Sequence, residues 1–309
     1  MSKLLFPLSH SLNLGNKIAM LNGWEVGKSE TVHFANSEIR TTVLSNVKDR
    51  DCVLVQATSN PTNEALIELL FMADSLRRGG AASIEAVIPY FGYARQNIQH
   101  RAGECVSAHV VIKMLESLGI NKVTVVDIHD EGTGGIFQVP FTNLSAYLEL
   151  APQIYTNLNL SAENETDCVI GSPDQGGVER ARAFAKLFYK ANPETDTIVV
   201  EKKRDLNAIH ESKAVELFGN VKGKHVILVD DVATSGKTIM NAAKMCLDAG
   251  AVAVSAAVVH ADFAIGVPRL LEESLLTSFY TTNTIEKPLE DLSQFPKIKV
   301  VDIASIFNL

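Results

Sequence analysis

A Val/Ile-rich run that gives way to a helical pattern, then to another such run, constrains this chain more than any other feature. Cys52–Gln56 reads as a strand, Asn63–Arg78 as a helix and Ser83–Pro89 as a strand. Val106–Leu118 reads as a helix that stops at Gly119, and Lys122–Ile128 as a strand. The order then restarts: Cys168–Gly171 strand, Val178–Lys190 helix, Thr197–Glu201 and His225–Val229 strands, Thr238–Ala249 helix, Ala253–Val259 strand. Continuous aliphatic runs suit strands buried on both faces, and alternation with helices implies parallel sheets with crossover helices. The restart is visible as a repeat. Lys113–His129 and Lys244–His260 align over 17 residues without a gap, with Lys, Met, Gly, Val and His coincident. We therefore expect an α/β fold of two similar domains, each a mostly parallel sheet flanked by helices. The boundaries expected are 1–145 and 146–309, joined through the polar stretch Asn143–Thr166 that contains Pro152.

Composition narrows the function. The 309 residues carry a formal charge of −8, which argues against a coat for nucleic acid or for an anionic membrane. A local basic pocket for a small polyphosphate remains compatible with it. No apolar run reaches the length of a membrane span, and Met1–Leu14 lacks the core and cleavage site of a signal peptide. The four cysteines stand more than 50 residues apart, which is neither a disulfide framework nor a metal knuckle. A cytoplasmic protein is expected.

The strongest local signal is His225–Ile239, HVILVDDVATSGKTI. An aliphatic strand runs into Asp230 and Asp231, then a Thr-Ser-Gly turn, then a helix. Small hydroxyl residues and Gly at a helix start leave backbone N–H groups open to a phosphate. Adjacent acids at a strand end suit ribose hydroxyls or a metal. The plainer alternative is an ordinary helix cap with solvated acids. An ATPase P-loop is excluded, because that motif needs a Gly at position 231 and Asp stands there. A second cluster, Ser172–Gly177, again joins a strand to a helix and carries Asp174. A third, Val87–Gln96, ends a strand in Pro, aromatics and Arg95-Gln96, where an arginine fork suits phosphate oxygens. His129 follows a strand among Asp127, Asp130 and Glu131, a setting that admits either a structural imidazole or a metal ligand. The basic run Lys202-Lys203-Arg204 just past a strand reads as a solvated face or as a loop that closes over polyphosphate.

Taken together, these segments resemble the ribose-phosphate diphosphokinases, or phosphoribosyl pyrophosphate synthetases, over nearly the whole chain. The resemblance is carried by HFANSEIR, by NPTNEALIELLFMADSLRRGGAASIEAVIPYFGYARQ, by VVDIH, SPDQGGVERAR and EKKR, and by TTNTI near the C-terminus. It implies two phosphoribosyltransferase-type domains, ATP on the first and the ribose phosphate on the second, with the last residues able to pack back on the first. It implies transfer of the β,γ-diphosphoryl group of ATP to the anomeric hydroxyl of ribose 5-phosphate, with Mg²⁺ as the cofactor. It also implies a homo-oligomer built from dimers, hexamers among them.

Residue by residue, the resemblance assigns Phe34, Asn36 and Glu38 to the adenine, in relatives from a neighbouring subunit. Arg95 and Gln96 match ATP contacts, and His129 and Asp174 match positions that organise magnesium, His129 on the ATP side and Asp174 also by the sugar. Asp230 and Asp231 match the acids that hold the ribose hydroxyls, and Thr234, Ser235, Gly236 and Thr238 match the loop around the 5-phosphate. Lys202 and Arg204 match a catalytic pair on a flexible loop. The chain departs from the family pattern at Lys237, at Gly132 and Gly134, and at Asn97–His100. These departures keep two alternatives open: a diphosphokinase for a larger ribosyl phosphate such as ADP-ribose, and a non-catalytic regulatory subunit.

Overall fold

The computed structural model describes residues 2–191, 197–202, 215–286 and 288–308. The chain divides into two compact units, Met1–Ser145 with Asn283–Lys287 and Ile303–Leu309, and Ala146–Thr282 with Pro288–Asp302.

In the first unit the elements are β1 (Leu4–Pro7), α1 (Leu12–Asn22), β2 (Glu25–Val26), β3 (Ser29–His33), β4 (Ile39–Val43), β5 (Asp51–Val55), α2 (Thr62–Arg78), β6 (Ser83–Ile88), α3 (Ser107–Ser117), β7 (Lys122–Val126) and β8 (Phe141–Leu144). Six of the described strands form a parallel sheet in the order β2-β1-β5-β6-β7-β8. Its aliphatic runs are buried, and Leu54, Ile88, Val123 and Val125 pack with Leu69, Met72 and Leu76 of α2 and with Ile112 and Leu115 of α3. Strands β3 and β4 stand apart as an antiparallel ribbon.

The second unit contains α4 (Tyr147–Asn157), β9 (Cys168–Ser172), α5 (Val178–Phe188), β10 (Ile198–Lys202), β11 (Val215–Phe218), β12 (His225–Ala233), α6 (Lys237–Asp248), β13 (Ala253–Ala261), α7 (Val267–Glu273), β14 (Ser278–Thr282) and β15 (Ile298–Val301). The sheet order is β11-β10-β9-β12-β13-β14-β15, parallel except for β11. Val226, Leu228, Val254 and Val258 meet Ile239, Ala242, Ala243 and Cys246 of α6 in its core.

The two copies of the repeat fold into the same piece of structure: α3 into β7, and α6 into β13. Gly119 and Gly250 both take positive φ, +88° and +96°. Each turns its chain out of a helix in a conformation that side-chain-bearing residues adopt only at a cost.

The structure corrects the reading of Asn143–Thr166 as a polar joint. Asn143 lies in β8, and 147–157 form α4. The helix forms because Tyr147, Leu150, Ala151, Ile154 and Tyr155 recur at helical spacing and are all buried. Pro152 is tolerated on the exposed face beside the exposed Leu148, where the carbonyl it leaves without an N–H lies on the solvent side. Asn143 has a local task as well: its Oδ1 accepts the Ile128 N–H at 3.0 Å.

Residues Glu286 and Phe307 are tied to α1. The Glu286 carboxylate accepts the Asn13 N–H at 2.9 Å and also the Leu14 N–H. It thereby caps a helix whose own N-cap residue, Ser11, supplies no side-chain bond. Asn22 donates to the Phe307 carbonyl at 2.8 Å, and the Phe307 ring is fully buried.

Candidate active site

In the second unit, the C-terminal ends of β9 and β12 and the turns that follow them bring together most of the expected sugar-phosphate residues. This is the edge at which open parallel sheets bind ligands. Strand β12 is longer than the sequence suggested. It runs on to Ala233 instead of ending at Val229, so Asp230 and Asp231 lie inside it and do not follow it. The neighbouring β13 is equally long and pairs with β12 as far as Ala233↔Ala261, which carries the ladder past the acids.

Asp231 is 2% exposed. It is matched by Arg180 of α5, whose Nη2 lies 3.0 Å from Asp231 Oδ1 and 3.6 Å from Asp230 Oδ1. Asp230 Oδ1 also accepts the Asp231 N–H at 2.9 Å. Burial, and then the charge of Asp231, push the Asp230 carboxyl far above the carboxylate range, while Arg180 pulls it down. Burial works against the charge of Arg180, yet Asp231 and Asp230 hold its guanidinium above its ordinary value. The result is two carboxylates and one cation at a strand end, a set that can accept hydrogen bonds from paired hydroxyls.

Past β12, Thr234 to Gly236 form the turn into α6. Gly236 is the N-cap at φ +66°, its carbonyl accepts the Met240 N–H at 3.0 Å, and the Ser235 hydroxyl oxygen accepts the Lys237 N–H at 3.4 Å. Ser235 and Lys237 are exposed and Thr238 is half-buried. The first N–H groups of α6 lie beside the hydroxyl-bearing residues 234, 235 and 238, and a helix start of this kind favours an anion.

Asp174 follows β9 and caps a short 3₁₀ turn by accepting the Gly177 N–H at 3.1 Å. A Cβ on Gly177 would stand 2.5 Å from Ser172 Oγ, so only glycine lets this turn close beneath the carboxylate. Asp174 itself is half-buried.

The expected ATP-side residues lie on loops of the first unit. Phe34, Asn36 and Glu38 form the exposed turn of the β3–β4 ribbon, closed by Phe34 N–H to the Glu38 carbonyl at 2.8 Å. The ribbon is pinned to α2. Thr31 donates to the buried Glu68 at 2.9 Å, Gln56 Nε2 donates to Glu68 at 2.7 Å, and Thr41 pairs with Ser75 at 3.2 Å. Between the turn and α2 lies a cavity of about 640 Å³, lined by Ser37, Glu38 and Ile39 and by Asn63, Glu64, Ile67 and Phe71. That volume falls in the range of small-molecule sites.

Arg95 is exposed after β6. Gln96 is engaged at the start of α3, where its Oε1 accepts from Ser107 at 2.6 Å and its carbonyl accepts the Ala108 N–H at 3.2 Å. His129 is half-buried after β7. Asp130 beside it accepts the Gly132 N–H at 2.9 Å and a bond from Asn97, which ties the Arg95 loop to the His129 loop. Lys202 is the last residue of β10, paired with Val215. Arg204 lies outside the described residues.

Among the described residues no group of three or more His, Cys, Asp or Glu side chains is placed to hold a metal. Magnesium does not need such a cage. It keeps several waters and substrate phosphate oxygens and takes one or two protein ligands. Asp174 fits that chemistry directly, with one carboxylate oxygen engaged by Gly177. An imidazole is a poor direct ligand for so hard a cation, so His129 fits through a metal-bound water.

Sequence reasoning missed Arg180 and the bond between Asn97 and Asp130. Arg180 carried a signal: it borders the buried stripe Ala181, Phe184, Ala185 and Phe188 of α5, and a charge there calls for a buried partner.

Comparison with known proteins shows what the chain as a whole is similar to. Residues 3–119 match the model of the N-terminal domain of ribose phosphate pyrophosphokinase. Residues 176–308 match a phosphoribosyl synthetase-associated domain. Ribose-phosphate pyrophosphokinase 1 of Streptococcus pneumoniae serotype 4 is 32% identical over 304 residues, covering 98% of this chain and 91% of that protein. The protein of the same name from Streptococcus pyogenes serotype M1 is 33% identical over 302 residues, with 98% and 91% covered. The crystal structure of phosphoribosylpyrophosphate synthetase from Mycobacterium smegmatis superposes with a TM-score of 0.88 at 29% identity, over 100% of this chain and 97% of that one.

Proposed function

Because this chain belongs to the ribose-phosphate pyrophosphokinase family, we propose that it transfers the β,γ-diphosphoryl group of ATP to the anomeric hydroxyl of ribose 5-phosphate. The observation that carries this reading is the run of strand, acid pair, hydroxyl-rich turn and helix start over 225–238. Paired acceptors for a diol stand there beside a cradle for a phosphate, which is the two-ended recognition a ribosyl phosphate requires.

The chain's own residues then divide the work. Asp230 and Asp231 accept hydrogen bonds from the 2- and 3-hydroxyls. Thr234, Ser235, Gly236 and Thr238 take the 5-phosphate through backbone N–H groups and hydroxyls. On the ATP side, Arg95 and Gln96 contact the nucleotide and Phe34, Asn36 and Glu38 meet the adenine. The anomeric oxygen attacks the β-phosphorus, the bond from that phosphorus to the α,β-bridging oxygen breaks, and AMP leaves; the anomeric proton is released. Little covalent chemistry is asked of the protein, so positioning and charge stabilisation carry the rate. Lys202 and Arg204 neutralise the bridging oxygen as it takes up charge. Asp174 and His129 would hold magnesium, which neutralises phosphate charge when bound.

We further read the protein as a cytoplasmic homo-oligomer. Among the described residues no helix is long and apolar enough to cross a membrane, and all four cysteines are free thiols.

The test is product identification. The purified chain with ATP, Mg²⁺ and ribose 5-phosphate should yield AMP and phosphoribosyl pyrophosphate in equal amounts, and EDTA should abolish both. A parallel arm with ADP-ribose settles the acceptor. A preference for ADP-ribose of more than about tenfold in kcat/KM, worth about 1.4 kcal/mol, overturns the reading of the acceptor. Absence of AMP in both arms overturns the reaction.

A further inference from the structure

Successive side chains of a strand point to opposite faces of the sheet. Asp230 and Asp231 are successive residues inside β12, yet a single nitrogen of Arg180 lies within 3.6 Å of a carboxylate oxygen on each. The two carboxylates therefore converge on one side of the strand end, where their charges repel. Something has to hold them there. Arg180 is well placed to do so: it comes from α5, its side chain is 24% exposed, and it sits on the edge of the buried stripe that fastens α5 to the sheet.

We propose that Arg180 is a positioning residue for the acceptor. It acts through Asp230 and Asp231, drawing both carboxyl groups to the same side so that the sugar's two neighbouring hydroxyls meet a preformed pair. The proposal rests on the reading of Asp230 and Asp231 as the diol site. Arg180 itself touches neither the sugar nor the reacting atoms.

Two features of the geometry support it. Asp230 Oδ1 accepts the Asp231 N–H at 2.9 Å and faces Arg180 at 3.6 Å, which fixes the orientation of that carboxyl group before a sugar arrives. Without the guanidinium, the buried Asp231 would lose the cation that stands 3.0 Å from its carboxylate, and removing one partner of a buried ion pair is costly. The pull that Arg180 exerts on Asp230 runs in the same direction, since it favours the ionised carboxylate that accepts from a hydroxyl. Lysine is not an equivalent replacement, because a compact ammonium on a flexible stem lacks the planar fork.

The experiment measures the KM for ribose 5-phosphate and for ATP in Arg180→Gln, Arg180→Lys, Asp231→Asn and the double variant Arg180→Gln/Asp231→Asn, with Tm alongside. Arg180→Gln should raise the acceptor KM by about tenfold or more and leave the ATP KM within about twofold, since a group acting on one substrate's site moves that constant alone. Arg180→Lys should recover part of the loss, leaving the acceptor KM within about threefold of wild type, the size of a point-charge contact. The double variant should be no worse than the poorer single, because residues acting through one another are non-additive. If Arg180→Gln does not fold, Arg180→Lys decides, and an equal rise in both KM values overturns the proposal. Additive losses in the double variant also overturn it. If Asp231→Asn leaves the acceptor KM unchanged, the diol reading falls and the proposal with it. If Asp231→Asn raises that KM and Arg180→Gln does not, the proposal alone falls.

Discussion

Asp231 is 2% exposed and ion-paired with Arg180, whereas Phe34, on the turn of the β3–β4 ribbon, is 44% exposed and its turn is closed by backbone bonds. The sequence resemblance assigns the first to the sugar and the second to the adenine. The acid pair is assembled by burial within one unit before any ligand arrives, so its geometry is part of the fold's stability. The ribbon is anchored on α2 by exposed and half-buried polar contacts, Thr31 on Glu68, Thr41 on Ser75 and His33 beside Glu64. Its ligand-facing residues contribute little to the fold. The acid pair is thus preorganised and stability-coupled, and the ribbon turn is exposed and separable from stability.

The largest test of that contrast is Asp231→Ala. It removes the nearer of the two carboxylates that Arg180 faces, and breaking a buried ion pair costs about 3–5 kcal/mol. Chemical denaturation should register that loss, and Phe34→Ala should move the same midpoint by less than about 0.5 kcal/mol. Equal shifts would erase the distinction. Next in size are Lys202→Ala and Arg204→Ala, which should each lower kcat by about 10²-fold with a smaller change in ATP affinity, since charges poised for the transition state act on kcat. Near-wild-type turnover in both would remove them from the catalytic assignment.

Stability against pH sharpens the comparison. Burial and the charge of Asp231 raise the Asp230 carboxyl to about 8. A group whose folded-state value is raised binds more protons folded than unfolded between its ordinary value and the raised one. Its contribution therefore favours the fold at low pH and is lost as pH climbs from about 4 toward 8. Ligand-free Tm measured across that window should decline through this term, and Asp230→Asn should flatten the decline. A profile identical in the two proteins would mean that Asp230 titrates like a surface carboxylate. The smallest effect expected is at Lys237, which is exposed beside the phosphate turn. Lys237→Gly should raise the acceptor KM by less than about threefold, as a solvated charge does, and a larger rise would bring the ammonium onto the phosphate.

Much of the candidate site could be read ahead of the structure because it sits where local patterns are strongest. The turn 234–236 follows an aliphatic strand and opens a helix, and Asp174 stands in the same kind of junction; both are short-range arrangements. The helix α4 was hidden by composition, since its buried stripe is interleaved with polar residues and Pro152. The extension of β12 through Asp230 and Asp231 was hidden too, because charged residues in a strand read as its end unless a neighbour such as β13 continues the ladder.

By itself the sequence determined the alternation of buried strands and crossover helices, the helix stops at Gly119 and Gly250, and the clustering of acids and hydroxyls at the turn into α6. All of these follow from side-chain periodicity, backbone preference or caps that act over a few residues. Tertiary structure alone decided that Arg180 joins two acids some fifty positions away and that Glu68 anchors the ribbon through Thr31. It also decided that Glu286 caps α1 from the far end of the chain. Those contacts form only when burial removes water from polar groups and obliges each to find a partner, wherever in the chain that partner lies.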